Sequence, residues 1–352
     1  MTHLWVRAET RGHERRVGIT PEGVSNLIEQ GMEVTVEEDT TRVIPLSDYV
    51  AAGAGAARTG GWVDAPSDAI IFGLKELPES DAPLVHRHIM FGHAFKEQAG
   101  WQAFLDRFRR GEGALYDLEY LVDGTGRRVA AFGYWAGYAG AAMSLLAVAA
   151  QHGSTDAFKA AQGGGGIMDA ARLAQAVRNA LAGAAPAVIV IGAKGRVGGG
   201  AVRLCREVGL DVTEWDMAET AHGGPFPEIL QHEVFLNCIL AAPGVPLFVG
   251  PDALTAERRL RVIGDIACDP TSEYSPVPVY DAVTSWDEPV TRVADASPLD
   301  VMAIDNLPSL LPRESSEDFA AQLFPFLERL DRLDEGVWGR AEKTFRHHLA
   351  RL

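Results

Sequence analysis

The stretch PAVIVIGAKGRVGGGAVRLCREVGLDVTEWD, residues 186–216, constrains the fold more than any other part of the chain. Ala187 to Ile191 is an unbroken apolar run, short and rich in β-branched residues, as expected of a strand buried on both faces of a parallel sheet. It runs into Gly192, Gly195 and Gly198, and a helical pattern then leads to a second strand that finishes on Asp216. Glycines in such a turn let main-chain N–H groups reach a pyrophosphate at the helix N-terminus, and an acid closing the next strand accepts hydrogen bonds from ribose hydroxyls. The spacing is G-x-x-G-x-x-G rather than G-x-G-x-x-G, so the strand–turn–helix–strand context carries the reading. The expected cofactor-binding set is Gly192, Gly195, Arg196, Val197, Gly198 and Asp216, with Lys194 near the phosphates. Asp216 favours NAD over NADP, because a 2′-phosphate there meets a negative charge.

The amino-terminal part has the same α/β grammar. His3 to Glu9 reads as a strand, and Thr20-Pro21 as a helix cap followed by proline at the first helical position. The helix should run to about Gln30, stop at Gly31, and return as a strand over Glu33 to Glu37. Ala69 to Leu74 and Ile89 to Phe95 are further strand candidates. Parallel sheets bind ligands beyond the carboxyl ends of their strands, and that is where Lys75 (IIFGLKE) and His93 (IMFGHAF) fall. Val129 to Ala150 carries no charge, but it is mostly Ala and Gly and therefore reads as a close-packed buried helix rather than a membrane span.

A net charge of −16 argues against binding a nucleic-acid backbone, which requires a basic footprint. It also means that an anionic substrate must be held by a local cluster of Arg and Lys. Cys205, Cys238 and Cys268 are far apart and form no CxxC pair, so free thiols in a reducing, cytoplasmic setting are expected. His86, His88, His347 and His348 sit beside charged or polar neighbours and read as surface histidines, with no metal site. Gly163 to Gly166 follow no apolar strand and read as a flexible loop.

Several blocks in order resemble the NAD-dependent, lysine-forming saccharopine dehydrogenases, a branch of the alanine dehydrogenase and transhydrogenase superfamily. They are RAET with ERRVGITP, GLKELPE, FGHAFKEQAGW, LYDLEYL, GRRVAAFGYWAGYAGAA, VIGAKGRVGGGA, WDMAET, GGPF and DNLPSLLPRE. The resemblance implies two Rossmann-like α/β domains with parallel sheets and a cleft between them. Residues 1–130 with 315–352 would form the substrate side, and 131–314 the NAD-binding side. It implies oxidation of the secondary amine of L-saccharopine by NAD and hydrolysis of the imine to L-lysine and 2-oxoglutarate, reversibly, by a protein that is often a monomer.

The family match makes His93 the acid–base for imine hydrolysis and Lys75 the acceptor of the substrate-amine proton. Glu76 and Glu119 match acids beside them that tune those groups, and Arg16, Lys96 and Arg128 match cations for the three substrate carboxylates. Asp305 matches a position near the nicotinamide. The stretch from Ala160 to Asp169 is shorter than the polar insertion of fungal relatives. Two alternatives stay open: an opine- or alanine-type dehydrogenase using another amino acid and keto acid, and a catalytically idle NAD-binding regulatory protein.

Overall fold

The computed structural model describes residues 1–96, 98–161 and 167–352, so the expected flexible loop at Gly163 to Gly166 lies outside the described residues. The chain divides into two compact units, Met1–Ala131 with Ser315–Leu352, and Phe132–Glu314.

The first unit begins with β1 (His3–Val6), α1 (Pro21–Glu29) and β2 (Glu33–Glu37). Thr20 caps α1 by accepting the Gly23 N–H, Pro21 opens it, and Gly31 at φ 89° turns the chain into β2. There follow α2 (Leu46–Ala51), β3 (Gly55–Ala57), β4 (Ile70–Phe72), β5 (Arg87–Met90), α3 (Trp101–Gly111) and β6 (Ala114–Asp117). The six strands are parallel, in the order β3-β2-β1-β4-β5-β6. That is the doubly wound order whose direction reverses between β1 and β4, where ligands collect beyond the strand ends.

Two expectations for this unit are corrected. The strand proposed for Ile89 to Phe95 ends at Met90, and His93 takes a left-handed φ of 49° that no strand accommodates. His86 and His88 lie in the core, 2% and 0% exposed. His86 precedes β5 and His88 lies on it, followed by the equally buried Ile89 and Met90; Trp62 and Phe108 pack on His88, with ring centroids 5.3 and 5.5 Å away. Polar neighbours in sequence are a poor guide on a strand with both faces covered.

The second unit contains α4 (Gly133–Gln151), α5 (Ala157–Ala161), α6 (Ala170–Leu181), β7 (Val188–Ile191), α7 (Arg196–Glu207), β8 (Val212–Trp215) and α8 (Met217–Thr220). It continues with β9 (Val234–Asn237), β10 (Val262–Asp265), β11 (Thr291–Ala294) and β12 (Leu299–Met302). The sheet order is β11-β12-β10-β9-β7-β8, parallel except for the antiparallel edge strand β11. The Ala/Gly-rich segment is α4, buried along nearly its whole length. A Cβ on Gly137 would lie 1.8 Å from the Val197 carbonyl oxygen, so bare backbone is what brings α4 against α7. Among the described residues no helix is long and apolar enough to cross a membrane. The three cysteines are free. The last helices, α9 (Pro312–Leu327) and α10 (Gly336–Leu349), lie mostly or wholly in the part of the chain that returns to the first unit.

Candidate active site

In the first unit the titratable side chains stand on the loops that leave β1, β4, β5 and β6. Lys75 follows β4 by three residues, and its backbone is clamped. Glu9 accepts the Leu74 N–H through Oε1 at 2.6 Å and the Lys75 N–H through Oε2 at 2.9 Å. Arg7, itself buried, donates to the Lys75 carbonyl and, at 3.0 Å, to that of Ala8. Burial first, then the positive charge of Arg16, pulls the Lys75 ammonium below the usual lysine range, with Glu14 opposing.

Arg16 is 5% exposed and donates to Glu14, Nε to Oε1 at 2.8 Å and Nη2 to Oε2 at 2.7 Å. Burial alone would raise the Glu14 carboxyl, but the hydrogen bonds and charge of Arg16 hold it below its ordinary value. Glu76 accepts from Nε, at 2.9 Å, and Nη2 along one edge of the Arg11 guanidinium.

His93 stands three residues beyond β5 and stacks on Phe91 with ring centroids 6.4 Å apart; Phe91 in turn packs on Phe319. His93 is exposed, though partly crowded by protein. That crowding, and next the Lys75 charge, lower its pKa against the pull of Glu76 and Glu119. Lys96 donates to Glu119 Oε1 at 2.7 Å, which raises the lysine, while Arg128 lies close enough to oppose that rise. Beneath these loops Asp117, fully buried, accepts the N–H groups of Gly92 at 3.2 Å and Glu119 at 2.9 Å. Burial pushes its carboxyl up to about 7.

Lys75, His93, Arg16 and Glu76 thus share one electrostatic neighbourhood, and Lys96, Glu119 and Arg128 form a second that reaches His93 through Glu119. Sequence reasoning missed Glu9, Arg11, Glu14 and Asp117. Glu14 and Asp117 each stand two residues before a residue that was singled out, Arg16 and Glu119, and that adjacency was the available signal.

In the second unit, Gly192 leaves β7 at φ 86° and Gly195 precedes the first residue of α7, where no side chain among the described residues caps the helix. A Cβ on Gly198 would lie 2.1 Å from the Gly192 carbonyl oxygen, which makes this turn a cradle only glycine can form. Arg196 and Val197 open the helix, with Lys194 exposed just before it. Asp216 follows β8, accepts the Lys194 N–H at 3.0 Å, and forms a capping box with Glu219. Uncapped N–H groups, a glycine cradle and an acid at the next strand end are the donor set a dinucleotide needs, so these residues fit one. Asp305 is exposed beyond the carboxyl end of β12. Its charge adds to burial and Asp265, which push the Cys268 thiol up to about 12.

Comparison with known proteins decides the family. Saccharopine dehydrogenase [NAD(+), L-lysine-forming] of Emericella nidulans is 46% identical over 99% of this chain and 98% of its own length. The enzyme of that name from Neurospora crassa is 44% identical, covering 100% of this chain and 97% of its own. The chain belongs to the lysine-forming saccharopine dehydrogenase family. The model for the alanine dehydrogenase/PNT N-terminal domain matches residues 5–139. Among solved structures, L-alanine dehydrogenase superposes with a TM-score of 0.62 at 16% identity, over 98% of this chain and 94% of that one. A transhydrogenase from Sinorhizobium meliloti gives 0.59 at 17% identity, over 94% and 95%. At such identities these two structures speak for the fold, which is α/β with two mostly parallel sheets, as expected for this family.

Proposed function

We propose that this chain oxidises the secondary amine of L-saccharopine with NAD and hydrolyses the resulting imine to L-lysine and 2-oxoglutarate, and that it can run the reverse. The observation that carries the reading is the likeness to saccharopine dehydrogenases along essentially the whole chain. Residues 1–130 with 315–352 serve the substrate, and 131–314 hold the dinucleotide.

The side chains of the first unit suit the chemistry. NAD, when bound, supplies the two-electron oxidant. A lysine depressed by burial and by Arg16 is a better acceptor of the substrate-amine proton than a solvated one, which is the role given to Lys75. His93, held below the ordinary imidazole range, is neutral near pH 7 and can take a proton from the attacking water. Once the carbinolamine has formed, the same ring returns that proton to the nitrogen and, as the carbon–nitrogen bond breaks, takes up the hydroxyl proton of the forming keto group. Glu76 and Glu119 oppose the fall in the His93 pKa and so set the range over which it works. Lys96, paired with Glu119, and Arg128 are the exposed cations for substrate carboxylates; Arg16 lies deeper, engaged by Glu14. Gly192, Gly195, Arg196, Val197 and Gly198 bind the pyrophosphate, Asp216 binds the ribose, and Asp305 stands near the nicotinamide. We place the protein in the cytoplasm, since three free cysteines suit a reducing compartment, and take it as a monomer on the family resemblance alone.

The test is NADH consumption with lysine plus 2-oxoglutarate, set against ornithine plus 2-oxoglutarate, alanine plus pyruvate, and NADPH as reductant. Preference for the first pair by about tenfold or more supports the assignment. Indifference among amines would move it to an opine-type enzyme, and no turnover with retained NADH binding to a regulatory protein.

A further inference from the structure

We propose that Asp117 is a positioning residue for imine hydrolysis: its buried carboxylate ties the backbone at Gly92 to the backbone at Glu119 and thereby sets where the His93 imidazole and the Glu119 carboxylate stand. The proposal rests on the reading of His93 given above.

β5 and β6 pair in parallel with Met90 opposite Asp117, and the last ladder bond runs from the Leu118 N–H to the Met90 carbonyl at 2.9 Å. Beyond it the two loops part, and the Gly92 and Glu119 N–H groups would be left without acceptors. The two oxygens of Asp117 replace them, Oδ2 for Gly92 and Oδ1 for Glu119. The fit at Gly92 is close, since a Cβ there would lie 3.1 Å from Asp117 Oδ2 and 2.7 Å from Leu115 Cδ2. The next residue is His93 in its left-handed conformation, which persists only where the surroundings impose it.

Chemistry explains why this position carries an acid. Asp117 is 0% exposed and, among the described residues, no salt bridge reaches it, an expensive place for a carboxylate. The titratable groups facing it are Glu119 and Tyr120 from the loop after β6 and Lys96 from the loop after β5. Asparagine has the same shape but only one acceptor, and its amide would confront the second N–H. A carboxyl group presents an oxygen to each loop and so accepts from both at once. Loss of the Gly92 bond frees His93 to drift, and loss of the Glu119 bond frees the acid that opposes the fall in the His93 pKa.

The experiment compares wild type, Asp117→Asn and Gly92→Ala; the alanine presses the same contact from the other side while the acid stays. Activity is read as a pH profile of kcat and KM with saccharopine. The His93 imidazole is titrated separately by NMR, its signal assigned by its disappearance in His93→Gln. Asp117→Asn should lower kcat by about a hundredfold, leave NADH affinity unchanged, and move the His93 titration to lower pH; Gly92→Ala should move it the same way. If Asp117→Asn does not fold, Gly92→Ala decides alone. An unmoved His93 titration in the folded variants overturns the proposal, whether or not the wild type oxidises saccharopine. A wild type without that activity but with a moved His93 would refute the functional reading and leave the positioning role standing.

Discussion

The two sheets use their carboxyl ends in opposite ways. In the first unit the loops beyond β1, β4, β5 and β6 carry charged side chains, nearly all engaged: Glu14 with Arg16, Glu76 with Arg11, Glu119 with Lys96. In the second unit the loop beyond β7 is built on Gly192, Gly195 and Gly198, and the groups proposed to hold the cofactor are main-chain N–H groups of the first turn of α7, since those of Gly192, Lys194 and Gly195 are already bonded within the protein. A cofactor common to many enzymes can be held by backbone geometry, whereas discrimination among substrates and transfer of protons need particular side chains with tuned charge. Similar parallel sheets therefore support a generic device and a specific one.

The sharpest way to break this contrast is to remove proton chemistry without touching the dinucleotide turn. His93→Gln should lower kcat by about 10² to 10⁴ while NADH binding, followed by fluorescence titration, persists. Equal loss of both would mean that the two devices are not separable. The converse variant is Gly198→Ala, whose methyl would stand 2.1 Å from the Gly192 carbonyl oxygen. NADH affinity should weaken by about thirtyfold, roughly 2 kcal/mol, with the His93 NMR titration unmoved. Arg128→Ala removes an exposed cation from the Lys96 neighbourhood. It should raise KM for saccharopine by about tenfold with little change in kcat, as expected when uniform binding is lost.

The smallest effect concerns a histidine on the same sheet but outside the site. Among the described residues neither ring nitrogen of His88 has a hydrogen-bond partner, and burial holds its pKa well below the ordinary value. The folded state therefore keeps it neutral while the unfolded chain binds a proton below about pH 6.5, so its contribution is intact above that pH and lost as pH falls. Between pH 6.5 and 5.5 it should cost about 1 kcal/mol of stability. His88→Phe should flatten that part of the urea-midpoint profile, and an unchanged slope would show that the acid sensitivity lies elsewhere.

The legibility of the two devices differs for the same reason. The strand–turn–helix–strand geometry after β7 was readable because its elements are contiguous: a buried strand, glycines at fixed places and an acid at the next strand end all lie within residues 186–216. Lys75 and His93 were readable as strand-end residues, and family resemblance supplied their roles. What escaped was contact between segments distant in sequence. Glu9 reaches Leu74 and Lys75 across more than sixty positions, Arg11 reaches Glu76 in the same way, and Asp117 reaches back to Gly92. His86 and His88 were misplaced because burial on β5 is decided by what packs over the strand, here Trp62 and Phe108, and not by the residues beside them in the chain.

Sequence by itself determined the α/β pattern, the capped start of α1, the glycine turn after β7 and the close-packing character of α4, because each depends on local periodicity, backbone freedom or side-chain size. Tertiary structure alone decided which charges face one another, how far burial lowers Lys75 and His93, and that Asp117 bridges two loops. Those properties depend on distance and desolvation, and both are set only when strands far apart in the chain are brought side by side.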